Sequence, residues 1–325
     1  MNEILNIQID FLVWLQNIRD TYFHGSYGCF LEITKFGEFF ITTIICAITY
    51  WCINKRAGIF LYTVFSLGII SSQFLKMCAC IYRPWILSDK VNPVPDAVPY
   101  AKGYSFPSGH STIVTTIFGG IAYLLKRIYY VIPLGIMILL VMFSRMWLGV
   151  HTPQDVLTGL LLGLILIFLT NPIINKCREN KQLFNILAIL LNILTLISII
   201  FVCYKNYPID YVNGKLIVNA ITSIKVYIVC VGFALGLLDG VIICQKYFPF
   251  STKSISVLTR FLRGIFGIIL LCGIFQFVEN YCFKLIFDNK MTLILTFLSG
   301  FMITGVYPFV FRTVENLLSI KTNKE

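Results

Sequence analysis

Residues 183–203 read LFNILAILLNILTLISIIFVC, an apolar run broken only by Asn185, Asn192, Thr195 and Ser198 and carrying no charged side chain. About 20 such residues in a helix cross the hydrocarbon of a bilayer, so this stretch reads as a transmembrane helix. Working outward, runs of similar character fall at 37–53, 58–80, 107–125, 129–147, 154–174, 225–244, 260–278 and 291–311. Together they predict nine spans. The composition agrees: 58% of the 325 residues are apolar and 13% charged, with a mean hydropathy of +0.82. Soluble domains run about 45–50% apolar and about 25% charged. The fold class is therefore all-α, a polytopic membrane helical bundle. Disordered, collagenous and disulfide-stapled secreted classes are excluded. Residues 1–25 are interrupted by Asp10, Arg19 and Asp20 and read as an amphipathic helix at the membrane surface.

The net charge of +11 would suggest nucleic acid in a soluble protein. Here its placement matters more. Lys55, Arg56, Lys126, Arg127, Lys176, Arg178 and Lys181 all fall in connections on one side of the bundle. Lys246, Lys253, Arg260, Arg263, Arg312, Lys321 and Lys324 join them there, against only Glu179, Glu315 and Glu325. The positive-inside rule makes that side cytoplasmic. The N-terminus and the loops after spans 2, 4, 6 and 8 are then expected outside, and the C-terminus inside. The charge is mostly topology, and no nucleic-acid partner is expected. The 11 cysteines lie mostly in apolar runs and read as small buried hydrophobes. The start, MNEILNIQID, lacks a basic region, so no cleavable leader is expected.

Three short segments hold nearly every polar group able to do chemistry: KMCACIYRP at 76–84, PSGH at 107–110 and SRMWLGVHTPQD at 144–155. They belong to separate hairpins, yet the alternation of spans puts all three on the outer side. Lys76, Arg83 and Arg145 are three cations at the bilayer boundary, where an unpaired charge is costly. The acids of nearby loops, Asp89 and Asp96, are too dispersed to neutralise them. A phosphate suits such a cluster, with the arginines offering bidentate forks. Ser108 and Gly109 open a helix, where free N–H groups and the dipole favour an anion. His151 precedes Asp155 by four residues, with Thr152 as N-cap and Pro153 first in the helix. The Asp155 carboxylate can then hold one ring nitrogen and leave the other free to attack. His110 adds a second imidazole, and the set is a kit for two-step phosphoryl transfer. No metal-ligand spacing and no cofactor motif is present, so the cations must supply the charge stabilisation. His24 lies outside these segments and reads as an ordinary surface histidine.

Lys-x6-Arg-Pro, Pro-Ser-Gly-His and Ser-Arg-x5-His-x3-Asp, as they stand here, resemble the three-part signature of the type 2 phosphatidic acid phosphatase family. That superfamily also takes in vanadium haloperoxidases and glucose-6-phosphatase. The resemblance covers roughly 40–175 and implies a helical-bundle core with a phosphohistidine mechanism. It implies His151 as nucleophile oriented by Asp155, and His110 as the acid that protonates the leaving oxygen. It implies Lys76, Arg83, Arg145, Ser108 and the Gly109 amide as ligands of the phosphoryl oxygens, with no metal. The chain then divides into an interfacial segment over 1–36, a catalytic core over 37–175 and a membrane extension over 176–325. The extension, with about four spans, departs from the short members of that family.

The expected activity is that of a multi-pass cell-membrane lipid phosphatase with an extracytoplasmic site. Undecaprenyl diphosphate, phosphatidic acid and phosphatidylglycerol phosphate all remain open as substrates. A phosphotransferase to a lipid or sugar hydroxyl, and a headgroup-binding transporter, are the alternatives. Asp239, an acid within the seventh span, reads equally as functional or as a helix-packing hydrogen bond. The 205–224 loop, with Tyr204, Tyr207 and Tyr211 at its start, reads as an interfacial aromatic belt. The oligomeric state is left open.

Overall fold

The computed structural model describes residues 3–23, 25–212, 215–253, 255–283 and 288–322; His24, Lys324 and Glu325 lie outside them. Among the described residues the only strands are an antiparallel pair of two residues each, β1 (Tyr211–Val212) and β2 (Lys215–Leu216); the rest is helix and connecting loop. The helices are α1 (Glu3–Tyr22), α2 (Tyr27–Gly37), α3 (Phe39–Ile53), α4 (Lys55–Ala79), the single turn α5 (Pro84–Leu87) and α6 (Gly109–Leu125). They continue with α7 (Ile128–Trp147), α8 (Pro153–Glu179), α9 (Lys181–Tyr204), α10 (Ala220–Tyr247), α11 (Val257–Cys282) and α12 (Asn289–Leu317).

Among the described residues, seven helices are long and apolar enough to cross a bilayer, and the other two expected spans differ from a straight rod. The span expected at 37–53 is the second limb of a pair, α2 and α3, bent by 47°. The cause is local: Glu38 takes an extended backbone between them. The span expected at 107–125 is the shorter α6, which carries a π turn at Thr115–Gly119 and stops where Lys126 turns left-handed.

The chain folds as two compact units that interleave in sequence. One takes the chain up to Thr42, then Gly68–Leu169 and Ser198–Tyr227; the other takes Thr43–Leu67, Thr170–Ile197 and the chain from Ile228. In the first unit α8 lies almost in backbone contact with α6. A Cβ at Gly159 would stand 2.7 Å from the Ser108 carbonyl oxygen, and one at Gly163 would stand 2.7 Å from Thr115 Cβ. This small-xxx-small spacing is what close helix packing in a membrane requires. It brings the N-termini of α6 and α8 side by side, with Ser108 N donating to the Asp155 carbonyl oxygen at 3.0 Å. Helix α1 buries Gln8, Ile9, Leu12, Leu15 and Arg19 and leaves Ile4, Ile7 and Trp14 exposed. Arg19 ties it down through the carbonyls of Trp147 (3.0 Å) and Asn92 (3.2 Å). Gln8 reaches the first turn of α8, accepting from Gln154 N at 2.9 Å.

The second unit is built on the same packing device. Gly236 of α10 and Gly300 of α12 each face a carbonyl of the other helix, Phe297 and Phe233, with no room for a Cβ. Thr304 Oγ1 donates across to the Leu237 carbonyl at 2.8 Å. Asp239 accepts from Asn192 Nδ2 at 3.0 Å, and the same amide also donates to the Ala188 carbonyl. The intramembrane acid thus has a packing partner on α9.

Candidate active site

The three chemistry-bearing segments meet in the first unit. Helix α4 delivers Lys76 from its last turn, the α6 N-terminus delivers Ser108, Gly109 and His110, α7 delivers Arg145 from its last turn, and α8 delivers His151 and Asp155 at its start. Lys76, Arg83, Ser108, Arg145, His151 and Asp155 are all buried, whereas Gly109 and His110 are only half-buried. The least buried edge of the cluster is therefore the start of α6.

The start of α8 is locally determined. Thr152 Oγ1 accepts from Asp155 N at 3.3 Å, and Asp155 Oδ2 accepts from Thr152 N at 2.9 Å, a reciprocal cap of the kind that fixes a helix N-terminus. The same Oδ2 stands 3.2 Å from His151 Nδ1. On the other side of the ring, Arg83 Nη1 lies 2.9 Å from His151 Nε2. A guanidinium can only donate, so Nε2 accepts and carries the lone pair. Nδ1 then carries the proton and gives it to Asp155. The tautomer follows from the partners, and the free lone pair belongs to Nε2.

Burial, and after it the fields of Arg83, Lys76 and Arg145, holds His151 well below the usual histidine value of 6.5. The ring is therefore neutral at neutral pH, the form in which an imidazole can act as a nucleophile. Ser105, which the sequence did not single out, donates its hydroxyl to Asp155 Oδ2 at 2.6 Å and lies 3.3 Å from His151 Nδ1. It sits two residues before Pro107, just outside the segment that drew attention.

The three cations are held differently. Arg83 also donates to the carbonyls of Val150 (2.9 Å), Gly103 (3.2 Å) and Lys102 (3.2 Å). Lys76 Nζ donates to the carbonyls of Tyr104 (2.9 Å), Ser105 (3.0 Å) and Pro107 (3.1 Å), so it also ties down the loop that leads into α6. Arg145 Nη1 donates to Thr34 Oγ1 at 2.8 Å, another partner the sequence did not indicate. Arg145 Nε and His110 Nε2 are buried with no hydrogen-bond partner among the described residues. An unmet buried polar atom costs about 1–3 kcal/mol, and two such atoms beside one cluster of cations suit an anionic ligand. Ser108 Oγ accepts from Ser111 N at 3.3 Å and from Ser111 Oγ at 2.9 Å, which caps α6 and orients the Ser108 hydroxyl. A Cβ on Gly109 would meet only Gln73 Nε2, at 3.9 Å; the protein leaves the space at that turn open. The described residues contain no group of three or more His, Cys, Asp or Glu suited to a metal ion.

Comparison with known proteins adds two matches. The profile of the PAP2 superfamily matches residues 56–179, and that of the PAP2 superfamily phosphatase transmembrane extension matches 228–318. An undecaprenyl-diphosphatase of Sulfolobus acidocaldarius is 32% identical over 145 residues, 44% of this chain and 68% of that protein. A phosphatidylglycerophosphatase B of Bacillus subtilis is 35% identical over 112 residues, 31% of this chain and 54% of the relative. A lipid A 4'-phosphatase of Porphyromonas gingivalis is 29% identical over 109 residues, covering 33% of this chain and 46% of that protein. The chain thus spans about half the length of the last two. No solved structure matches.

Proposed function

This chain belongs to the PAP2 superfamily, and we propose that it is a multi-pass membrane phosphatase that hydrolyses a lipid phosphate or diphosphate through a phosphohistidine. The observation that carries the reading is the His151 ring held between Asp155 on Nδ1 and Arg83 on Nε2. When a phosphoryl group enters, its oxygens take the Arg83 donor and Nε2 is released to attack phosphorus. The P–O bond to the lipid breaks as the N–P bond forms, and His110, protonated once the phosphoryl anion offsets the field of the neighbouring cations, gives that proton to the leaving oxygen and is left neutral. Arg83, Arg145, Lys76, Ser108 and the Gly109 amide face the charge that develops on the phosphoryl oxygens. Water then attacks phosphorus, loses a proton to His110, and inorganic phosphate leaves His151.

In this reading the site faces the extracytoplasmic side, where an amphiphile keeps its tails in the bilayer while its headgroup reaches the start of α6. The interfacial segment, the core over 37–175 and the membrane extension belong to the same proposal. So does independence of any metal. The relatives' named substrates, an undecaprenyl diphosphate and a phosphatidylglycerol phosphate, share the chemistry required: a terminal phosphoryl group on a lipid.

The test is phosphate release by the purified full chain in detergent, with EDTA present. The panel holds undecaprenyl diphosphate, phosphatidic acid, phosphatidylglycerol phosphate and a soluble phosphate ester. Release from a lipid that disappears in His151→Ala is the expected result. Activity that persists in His151→Ala, or that EDTA removes, overturns the mechanism. A phosphorylated acceptor in place of free phosphate would make the protein a transferase.

A further inference from the structure

Residues 205–210 lie between the two matched stretches of the chain, and Tyr207 among them reads in sequence as part of an aromatic belt. Tyr204 and Tyr211 stand exposed, at 85% and 64%. Tyr207 does not. It is half-buried, and its ring stacks on Tyr104 at 6.4 Å and 22°. Its hydroxyl is fixed by the Val202 carbonyl at 2.8 Å.

Three contacts run from this segment to the backbone that carries the site. Lys205 Nζ donates to the carbonyls of Met77 (2.7 Å) and Cys78 (2.8 Å) and lies 3.4 Å from Cys80 Sγ. Those carbonyls belong to the last turn of α4, where no helical N–H remains to meet them and a cation complements the dipole. Lys76 is the residue immediately before. Asp210 Oδ2 accepts from the Tyr82 hydroxyl at 2.5 Å, and Arg83 is the residue immediately after. Tyr207 packs on Tyr104, which also contacts the Tyr82 ring at 6.1 Å. The Tyr104 carbonyl accepts from Lys76, and the next residue is Ser105, which holds Asp155.

We propose that 205–210 is a strap that positions the phosphoryl cradle, with Lys205 setting the end of α4 behind Lys76 and Asp210 setting the Tyr82–Arg83 step. The proposal rests on the phosphatase reading above. Lys205 and Asp210 are positioning residues: they touch neither His151 nor the space at Gly109, and they act through Lys76, Arg83 and Ser105. Cradle cations are worth most against transition-state charge. Loosening the strap should therefore lower kcat and weaken capture of a phosphoryl analogue more than it raises KM. Of the two, Lys205 has the larger part, because it meets two helix-terminal carbonyls while the Asp210 contact is exposed.

The experiment compares the full-length wild type with Lys205→Met, Lys205→Arg, Tyr82→Phe, Asp210→Asn and the Tyr82→Phe/Asp210→Asn pair. The readouts are kcat, KM, orthovanadate inhibition, calorimetric binding of inorganic phosphate, and thermal unfolding in detergent. Lys205→Met is expected to lose about tenfold in kcat and in orthovanadate affinity, with KM within about twofold, and Lys205→Arg to recover most of the loss. Tyr82→Phe and Asp210→Asn should each cost about threefold, and the pair no more than either alone. Variants that lower the unfolding temperature while kcat and orthovanadate inhibition stay at wild-type values would overturn the strap and leave the phosphatase reading standing. So would losses that multiply in the pair. A wild type that neither releases nor binds phosphate would remove the reading itself, and the strap with it.

Discussion

Arg263 in the second unit and Arg145 in the first are equally buried, at 4% and 2% exposure, and they could hardly be treated more differently. Arg263 donates to both carboxylate oxygens of Glu315 at 2.7 and 2.6 Å and to the carbonyls of Trp51 (3.0 Å) and Ser251 (2.9 Å). Its guanidinium also lies 4.3 Å from the centre of the Phe311 ring. Arg145 has a single neutral hydroxyl, Thr34, and an unmet Nε. Both side chains cost desolvation to bury. Arg263 recovers it through a bidentate carboxylate, while Arg145 has the field of the Glu38 carboxylate but, among the described residues, no acid hydrogen-bonded to its guanidinium. What separates the two arginines is therefore their partners, not their burial.

The comparison breaks first at activity. Arg145→Met is expected to lower phosphate release by about 10²–10³-fold. The unfolding temperature should hold or rise, because an unmet buried donor is removed. A variant that keeps its activity and loses stability would make Arg145 a second Arg263. The converse comes next in size. Arg263→Met should cost about 2 kcal/mol of stability, below the roughly 3–5 kcal/mol of a fully buried pair because Glu315 is partly exposed. Activity per folded molecule should stay within about twofold, and thermal unfolding beside phosphate release reads both quantities.

The smallest effect concerns pH. With His151 held below 6.5 by burial and by Arg83, Lys76 and Arg145, the acid limb of kcat/KM should fall below pH 6.5, and Arg145→Met should move it upward. The sign for stability is the same. Below 6.5 the unfolded chain binds a proton that the folded His151 refuses, so stability is full above 6.5 and declines as pH falls toward the folded value. A His151→Gln variant should show a shallower decline in acid unfolding curves. An acid limb at or above 6.5 in the wild type would mean that the cradle charges do not reach the ring.

Much of this was legible before any coordinates. Spans are legible because hydropathy is additive along a chain, and LFNILAILLNILTLISIIFVC needs no context to be apolar. The meeting of 76–84, 107–110 and 144–155 was legible because alternating spans must return each second loop to the same end of the bundle. The illegible part is contact between loops. Ser105 and Thr34 are small hydroxyl residues among many, and nothing in their neighbourhoods marks them as partners of Asp155 and Arg145. Tyr207 reads as a belt residue because its sequence context is that of a belt. Lys76 was expected to face phosphate; its three protons hold the carbonyls of Tyr104, Ser105 and Pro107, a task that spacing cannot announce.

What the residues by themselves determined is a membrane bundle, a set of cations with two histidines at one end of it, and an aspartate four residues after His151. Each of these depends on composition or on the pitch of a single helix. Only the tertiary structure decided which nitrogen of His151 carries the lone pair, which arginine is satisfied and which is not, and that a segment at 205–210 reaches the backbone beside Lys76 and Arg83. Those outcomes turn on distances between residues far apart in the chain, and such distances are set by how closely glycine-bearing helices such as α8 and α6 can pack, not by any local run of sequence.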